Sequence, residues 1–352
     1  MQAKVLVIYT GGTIGMVPGD EQDPDSPLVP AERDRLARAI AEHPSGIGWD
    51  LAGLTDPAGT AIPPLDSSDV GPRHWTALAV QIEAGYAEYD GFVVLHGTDT
   101  MAYSAAALSF LLENLGKPVV FTGSQLPIFA SRSDAPANLA NALALAGWTA
   151  SRLACIPEVV ICFADLVLRG NRATKISTGA YRGFASPNLP PLARLGVDIA
   201  IERSLLRPRP DPALAPFHAH ERLDAQIMDI SLYPGITAPQ LDAMLTVPDV
   251  AGYVLRCFGA GNAPADPALL AALGRAVAAG RVVVAVKHCP EGAVEMGLYA
   301  AGSGLQRQGV LPGADMTAEA AFAKLAYLLD RYGPAETRNL IGQDLRGELS
   351  AM

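Results

Sequence analysis

The sequence has few cysteines, no block of basic residues and no long apolar run. Its four cysteines are scattered without a close pair, so neither a disulfide framework nor a zinc site of the usual spacing is indicated, and reduced thiols are expected. The net charge is −10 and the 26 basic residues form no cluster, which argues against nucleic acid and anionic membranes as main partners. No apolar run approaches the roughly 18 residues that predict a membrane-spanning helix.

Several familiar enzyme motifs are also missing. The glycines near the amino end do not follow G-x-G-x-x-G, and neither G-x-x-x-x-G-K-[ST] nor G-x-S-x-G occurs, so the glycine and lysine geometry that binds dinucleotides and phosphates is absent. The chain enters an apolar run at residue 5, which leaves no room for the basic segment, apolar stretch and cleavage site of a signal peptide. A cytoplasmic protein is therefore expected.

What the sequence does contain is a series of apolar strands that end in glycine and hydroxyl residues. The first comprises residues 5–8 and is followed by YTGGTIGM. Gly11 and Gly12 let the backbone turn sharply and leave N–H groups open to a substrate oxygen, while Thr13 places a hydroxyl beside them. One interpretation is a nucleophile at the carboxyl end of the strand; the other is a tight turn in which threonine caps the next element.

The same design recurs in GFVVLHGTDT, residues 91–100, and in PVVFTGSQ, residues 118–125. The alternation of strands and helices predicts an α/β fold with a mostly parallel sheet. Neighbouring parallel strands share one crevice at their carboxyl ends, so the GGT turn is expected to face Thr98 and Asp99 across one pocket. Asp99 and its neighbour Thr100 could instead only cap the next helix, and His96 could be a core histidine.

Three further segments carry polar residues that either structure or function could explain. LDSSDV contains Ser67 and Ser68, which could cap the helix after them. Residues 17–30 are rich in proline, glycine and acids, so an exposed, mobile loop is expected, either a lid or a variable surface loop. Lys175, in RGNRATK, is a solvated charge unless it points into the crevice, where it could activate a hydroxyl or bind an anionic substrate.

The proline-rich segment at residues 188–220 resembles a crossing between two domains. A boundary near residue 205 gives a larger N-terminal α/β domain, 1–205, with the candidate catalytic residues, and a smaller C-terminal α/β domain, 206–352. His218 and His220 lie two residues apart, but no third ligand is in view. Surface histidines are therefore favoured over a metal site.

Taken in order and spacing, several motifs closely resemble those of the bacterial type I, cytoplasmic L-asparaginases: TGGTIGM, LDSSDV, HGTDTMAYSAAALSFLL, TGSQLPI, RSDAPANLANAL and RGNRATK. The similarity continues through ASPNLPPL, YPGI, GAGNAP and GADMTAEAAFAKL to LRGEL, so it covers almost the whole chain. It implies hydrolysis of the side-chain amide of L-asparagine to aspartate and ammonia through a covalent acyl-enzyme, without a metal or cofactor.

The resemblance also implies catalytic roles for individual residues. Thr13 matches the nucleophile of the family, and Thr98, Asp99 and Lys175 match the triad that activates it. A threonine hydroxyl is a weak nucleophile near neutral pH, so a lysine that takes its proton through Thr98 fits the chemistry. Backbone N–H groups around Gly12 and Thr98 would bind the oxyanion.

Substrate-binding roles follow from the same resemblance. Ser67 and Ser68 match the ligands of the substrate's α-carboxylate, and Asp99 additionally matches the ligand of its α-amino group. Asn262, in GAGNAP, matches a position that in this subfamily reaches the active site of a neighbouring subunit. A homodimer or a dimer of dimers is therefore implied.

One departure from the family keeps alternatives open. Family members usually have a tyrosine in the loop after the nucleophile, whereas residues 17–30 contain none. A related amidohydrolase acting on glutamine, on another β-amide or on amidated transfer RNA is one alternative, and a catalytically weak asparagine sensor is another. Some type I members also bind asparagine at a regulatory site near the dimer interface, which would be sought here around Arg256 and Cys289.

Overall fold

The structure, a computed structural model, describes residues 3–20, 23–43, 45–296 and 300–350. It divides into two compact units, Met1–Glu221 and Arg222–Met352. Each unit has a largely parallel sheet with helices, which confirms the predicted two-domain α/β class. The sequence predicted the boundary near residue 205, whereas the structure places it at residue 221.

The first unit is built on a nine-stranded sheet with three small ribbons beside it. Its strands are β1 (Lys4–Tyr9), β2 (Met16–Asp20), β3 (Asp23–Pro30), β4 (Gly48–Thr55), β5 (Ala61–Ile62), β6 (Gly91–Leu95), β7 (Leu112–Glu113), β8 (Val119–Thr122), β9 (Val159–Phe163), β10 (Leu166–Arg169), β11 (Thr174–Lys175), β12 (Phe184–Ala185), β13 (Ala193–Leu195), β14 (Ile199–Ile201) and β15 (His218–Ala219). Its helices are α1 (Arg33–Ala41), α2 (Pro72–Gly85), α3 (Met101–Leu111), α4 (Ala135–Ala146) and α5 (Trp148–Ser151).

The strand order of this sheet is β14-β13-β10-β9-β8-β6-β1-β4-β5. The five central strands from β9 to β4 are parallel, and the outer strands are antiparallel. Strands β1, β6 and β8 are continuous runs of buried aliphatic and aromatic residues, as expected for a parallel sheet covered on both faces. Helix α3 is buried on almost every side, because its sequence is apolar all round.

Two segments that the sequence predicted to be irregular contain strands. The segment 17–30 was expected as an exposed, mobile loop, but its described residues lie in the antiparallel ribbon β2–β3, in which Met16 pairs with Pro30 and Val17 with Val29. The proline-rich segment, expected as a linker or domain crossing, supplies β13 and the edge strand β14 of the first unit's sheet. Proline is compatible with the ribbon, because isolated ribbons have N–H positions that need no partner, and β13 and β14 themselves contain no proline.

The second unit has an all-parallel sheet in the order β16 (Gln226–Ser231), β17 (Val250–Cys257), β18 (Val282–Lys287) and β19 (Leu311–Pro312). Its helices are α6 (Ala238–Leu245), α7 (Pro267–Ala278), α8 (Ala300–Arg307) and α9 (Ala318–Leu340). Thr317 is the N-cap of α9, and its hydroxyl accepts from the Ala320 N–H at 3.1 Å. No helix in the described part of either unit is long and apolar enough to cross a bilayer.

Candidate active site

The first two glycine-threonine motifs lie at the point where the strand order of the first unit reverses. From β1 the chain crosses to β4 on one side and then returns to β6 on the other. Strands β1 and β6 pair in parallel, with Tyr9 opposite Leu95. Their carboxyl ends therefore open a crevice between them, which is the usual ligand site of an open α/β sheet.

Glycines bring three chain segments into direct contact at this crevice. Gly11 and Gly12 have φ values of 123° and 85°, a region that only glycine adopts without strain. A Cβ on Gly12 would lie 2.3 Å from the Gly97 nitrogen, and a Cβ on Gly97 would lie 2.6 Å from Ser67 Oγ. The GGT and GTDT motifs therefore lie against each other, with LDSSDV beside them.

Thr13 begins a short 3₁₀ turn, Thr13–Gly15, and is half-buried. The Gly12 N–H, expected among the oxyanion donors, donates instead to the Leu65 carbonyl at 3.1 Å. For the N–H groups of Thr13 and Thr98 there is no backbone acceptor among the described residues. Both N–H groups can therefore donate to a ligand in the crevice, and Gly12 contributes the close approach of the backbone.

Lys175 lies against Thr98 and Asp99 instead of pointing into solvent. Its Nζ is 2.7 Å from Thr98 Oγ1 and 2.5 Å from Asp99 Oδ1. The Lys175 side chain is only 16% exposed, whereas that of Asp99 is 62% exposed. The two-stranded ribbon β11–β12 carries the lysine to this position, so its carboxylate partner presents one side to the lysine and the other to solvent.

The two arginines near Lys175 in sequence are committed elsewhere. Arg169 Nε is 2.5 Å from Glu158 Oε2 in a buried ion pair, and Arg172 donates to the Asn188 carbonyl at 2.7 Å. Both guanidinium groups therefore hold the fold of the first unit together. Of the three basic residues in this segment, Lys175 is the one placed beside the GTDT motif.

The two serines of LDSSDV differ in what their hydroxyls can still bind. Ser67 is buried, and its Oγ accepts from the Asp99 N–H at 3.2 Å, so its own proton remains available for a ligand. Ser68 is exposed and donates its hydroxyl proton to Asp66 Oδ1 at 2.7 Å. Neither serine caps α2, since the 3₁₀ turn Ser67–Asp69 intervenes and the helix begins at Pro72.

Asp66 is a residue of this site that sequence reasoning did not identify. Its carboxylate accepts from the Ser68 N–H at 2.8 Å as well as from the Ser68 hydroxyl. The Ser68 N–H first and its hydroxyl second lower the pKa of Asp66 below its ordinary value, with a smaller contribution from the charge of Lys175. An Asp two residues before a serine is a known turn pattern, and that was the available signal.

Other polar groups at the strand ends hold the backbone in place. The Thr122 hydroxyl donates to the Cys162 carbonyl at 2.8 Å, and the Ser124 hydroxyl donates to the Leu126 carbonyl at 2.5 Å. His96 is the core histidine that one interpretation expected, with Nδ1 2.7 Å from the Gly97 carbonyl. The third glycine-threonine motif is therefore structural in this arrangement.

Asn262 belongs to the second unit, on the tight turn after β17, where its backbone N–H donates to the Phe258 carbonyl at 2.8 Å. In the same unit, Arg256 forms a bidentate pair with Asp229, and Cys289 is exposed and free. The active-site role of Asn262 and the regulatory site near Arg256 and Cys289 both depend on contacts beyond the second unit, and they stay predictions.

No group of three His, Cys, Asp or Glu side chains among the described residues is arranged to hold a metal ion. His218 Nδ1 is 3.3 Å from Glu83 and His220 Nε2 is 2.9 Å from Glu113, so each imidazole has a carboxylate partner. His218 is exposed and His220 is buried. The two rings lie edge to face with centroids 4.9 Å apart. His218 links the β7–β15 ribbon to α2, and His220 is not the surface histidine that the sequence predicted.

Comparisons with known proteins agree with this arrangement. Residues 4–207 match the family "Asparaginase, N-terminal" and residues 226–340 match "Glutaminase/Asparaginase C-terminal domain". The chain is 44% identical to L-asparaginase 1 of Escherichia coli over 99% of both chains, and 40% identical to the 60 kDa lysophospholipase of Mus musculus over 99% of this chain and 63% of that one. The crystal structure of L-asparaginase I from Vibrio cholerae, 39% identical, superimposes with a TM-score of 0.85 over 100% of both chains. The chain belongs to the asparaginase family.

Proposed function

We propose that this protein hydrolyses the side-chain amide of L-asparagine to L-aspartate and ammonia through an acyl-threonine intermediate. The observation that carries the proposal is the cluster of Lys175, Thr98 and Asp99 at the crevice where the Thr13 turn also lies. Full-length similarity to L-asparaginase 1 of Escherichia coli supports asparagine as the substrate.

In the proposed reaction, Thr13 Oγ1 attacks the amide carbon and the C–N bond then breaks. The hydroxyl proton passes through Thr98, whose Oγ1 lies 2.7 Å from Lys175 Nζ, and is returned to the departing nitrogen as ammonia forms. Water then hydrolyses the ester by the reverse proton path. The N–H groups of Thr13 and Thr98 would stabilise the oxyanion, and one such donor is worth about 3–4 kcal/mol in other acyl-transfer sites.

The substrate's charged groups fit the polar residues around this cluster. We assign the α-carboxylate to Ser67, whose hydroxyl proton is available, and to Ser68, which would turn from Asp66 toward the substrate. The exposed side of Asp99 would bind the α-ammonium group, with Asn262 of a neighbouring subunit as a further ligand. Small hydroxyls suit a carboxylate because they donate without adding a bulky charge.

The variant Thr13→Ala tests the nucleophile. It should lower kcat for asparagine by at least about a thousandfold, since removal of a nucleophile typically leaves only binding and oxyanion stabilisation. Ammonia release from purified protein is the measurement, with circular dichroism to confirm folding. Thr10→Val is the matched control, because the Thr10 hydroxyl donates to the Leu95 carbonyl at 2.9 Å and its loss should spare turnover.

Asparagine and glutamine are both tested as substrates in the same assay. Faster turnover of asparagine than of glutamine at matched concentrations supports the proposal, and the reverse order would make the protein a glutaminase. Saturable binding of asparagine by wild-type protein without ammonia release would indicate a sensor instead. Near-normal turnover in Thr13→Ala would refute the assignment of the nucleophile.

We also propose that the enzyme works in the cytoplasm as a homodimer or a dimer of dimers, without a cofactor. The family resemblance carries this assignment, and light scattering on the purified protein measures the subunit count. Because the β2–β3 ribbon has no tyrosine, Thr98 and Lys175 would act on the nucleophile without a phenol from that ribbon. A role in binding nucleic acid is not part of the proposal, given the net charge of −10.

A further inference from the structure

Thr100 occupies a position where a threonine ordinarily caps a helix, but its hydroxyl is used elsewhere. It is the N-cap residue of α3, and its side chain makes no hydrogen bond to the first turn of that helix. Its Oγ1 donates instead to the Ser67 carbonyl at 2.6 Å. A strong hydrogen bond therefore joins the start of α3 to the 3₁₀ turn Ser67–Asp69.

A second hydrogen bond joins the same two segments on the side-chain face of Ser67. The Asp99 N–H donates to Ser67 Oγ at 3.2 Å, and Ser67 Oγ packs directly against Gly97. Ser67 is thus held by its carbonyl through Thr100 and by its hydroxyl oxygen through Asp99. The hydrogen bond from Asp99 uses a lone pair of Ser67 Oγ. The Ser67 hydroxyl proton therefore has no acceptor among the described residues.

We propose that Thr100 is a positioning residue for substrate binding, which fixes the Ser67 hydroxyl at a set distance from Asp99 and Thr98. This inference rests on the proposed function, in which Ser67 binds the α-carboxylate and Asp99 the α-ammonium group. Both groups of the amino acid are unchanged during amide hydrolysis, so Thr100 contributes equally to the ground state and the transition state.

A positioning role of this kind predicts a specific kinetic pattern. Thr100→Val keeps the shape of the side chain and removes its hydroxyl, while the Ser67 carbonyl retains the Val70 N–H at 3.1 Å. KM for asparagine should rise about tenfold with kcat nearly unchanged, since uniform binding is lost without loss of transition-state contacts. Thr100→Ser restores the hydroxyl and should return KM to within about twofold of wild type.

A double-mutant cycle separates this role from a structural one. In a Ser67→Ala background, Thr100→Val should raise KM no further, because Thr100 acts through the Ser67 hydroxyl. Thr317→Val is the matched control, since Thr317 does cap its helix with its side chain; this variant should lower the melting temperature and leave KM unchanged. If Thr100→Val behaves like Thr317→Val, or raises KM equally in both backgrounds, the inference is wrong.

The binding of L-aspartate, measured by calorimetry, gives a readout that does not depend on turnover. Its Kd should rise in Thr100→Val by the same factor as KM. Wild-type protein that releases ammonia from asparagine while Thr100→Val keeps the wild-type KM and Kd would overturn the inference alone. Wild-type protein that neither binds nor hydrolyses asparagine would overturn the proposed function and this inference with it.

Discussion

His96 lies at the centre of a buried chain of hydrogen bonds whose directions are fixed by their end groups. The Gly97 carbonyl can only accept, so His96 Nδ1 carries a proton, and Nε2 then accepts from the Ser104 hydroxyl at 2.9 Å. Ser104 Oγ in turn accepts from Trp75 Nε1 at 2.8 Å. The neutral imidazole therefore holds the peptide that links Gly97 to Thr98, and His96 has no exposed surface.

This burial predicts a pH dependence of stability. Burial lowers the pKa of His96 from 6.5 to about 4, so between these values the unfolded chain binds a proton that the folded chain excludes. The His96 contribution is complete above pH 6.5 and is lost as pH falls toward 4, by up to about 3 kcal/mol. In urea titrations between pH 7.5 and 4, the free energy of unfolding should fall less steeply with pH for His96→Asn than for wild type.

The control for this experiment is His43→Asn, at an exposed position, which should keep the wild-type slope. His74 is also buried and its pKa is lowered, chiefly by burial, so part of the slope should survive in His96→Asn. An unchanged slope in His96→Asn would contradict the tautomer chain described above.

At the scale of single residues, the sequence predicted which residues form the site better than the directions of their hydrogen bonds. It placed Thr98, Asp99 and Lys175 in one crevice, because strand ends and a motif order were visible. It did not predict that the Gly12 N–H donates to Leu65 or that Ser68 donates to an aspartate. Those bonds depend on which distant backbone group lies alongside, and no local pattern records that.

At the scale of elements, the turn after β1 is held by contacts from several directions. The Gly15 carbonyl accepts from the Ala31 N–H at 2.8 Å and from the Tyr9 hydroxyl at 3.3 Å, and the Ile14 carbonyl accepts from the Ile128 N–H at 3.0 Å. The end of the β2–β3 ribbon is therefore anchored to the turn that carries Thr13. The sequence of that ribbon, with its prolines and acids, lacks the alternation that predicts a strand. Its two strands pair with each other in a sheet of their own.

Gly15 is predicted to resist substitution for a steric reason. A Cβ at this position would lie 2.3 Å from the Tyr9 hydroxyl and 2.6 Å from its ring, while the backbone φ of Gly15 is not positive. Gly15→Ala should cost about 1–3 kcal/mol of unfolding free energy through overpacking. The midpoint of thermal unfolding and kcat, measured on the same preparations, should both fall, because the strain lies two residues from Thr13.

Tyr9→Phe removes the nearest clashing atom, and the double variant Tyr9→Phe/Gly15→Ala should recover part of the loss. Gly53→Ala is the matched control, since Gly53 also lies in the first unit, its φ is not positive, and a Cβ there meets nothing within 4 Å. If Gly15→Ala is as stable as Gly53→Ala, then Tyr9 does not restrict this turn.

At the scale of the whole molecule, the sequence predicted the α/β class of both domains and the mostly parallel sheet of the first correctly. The parallel strands are short, nearly continuous apolar runs, such as residues 91–95 and 282–287, and that length and composition are typical of a buried strand. The antiparallel strands β10, β13 and β14 escaped prediction, because they are short and their neighbours in sequence include proline and charged residues. Such short strands form because a neighbouring strand pairs with them, and that pairing is visible only in the assembled sheet.

The second unit contains a buried ion pair that ties residues beyond α9 back onto that helix. Lys324 and Glu348 are both fully buried, 2.5 Å apart. Lys324 also donates to the Gln343 carbonyl, and Glu348 accepts from the Leu345 N–H at 3.0 Å and the Arg346 N–H at 2.6 Å. Burial lowers the pKa of Lys324, and the charge of Glu348 opposes that shift.

Removal of one partner should therefore be much worse than removal of both. Lys324→Met leaves the Glu348 carboxylate buried without its cation, so the unfolding free energy should fall by about 3–5 kcal/mol in urea titrations. Lys324→Met/Glu348→Gln should recover a large part, because the amide oxygen can still accept from the two backbone N–H groups. Arg275→Met, which breaks the exposed pair with Asp242, should cost less than about 1 kcal/mol. Equal losses from Lys324→Met and Arg275→Met would mean that this buried pair does not hold the closing segment of the second unit in place.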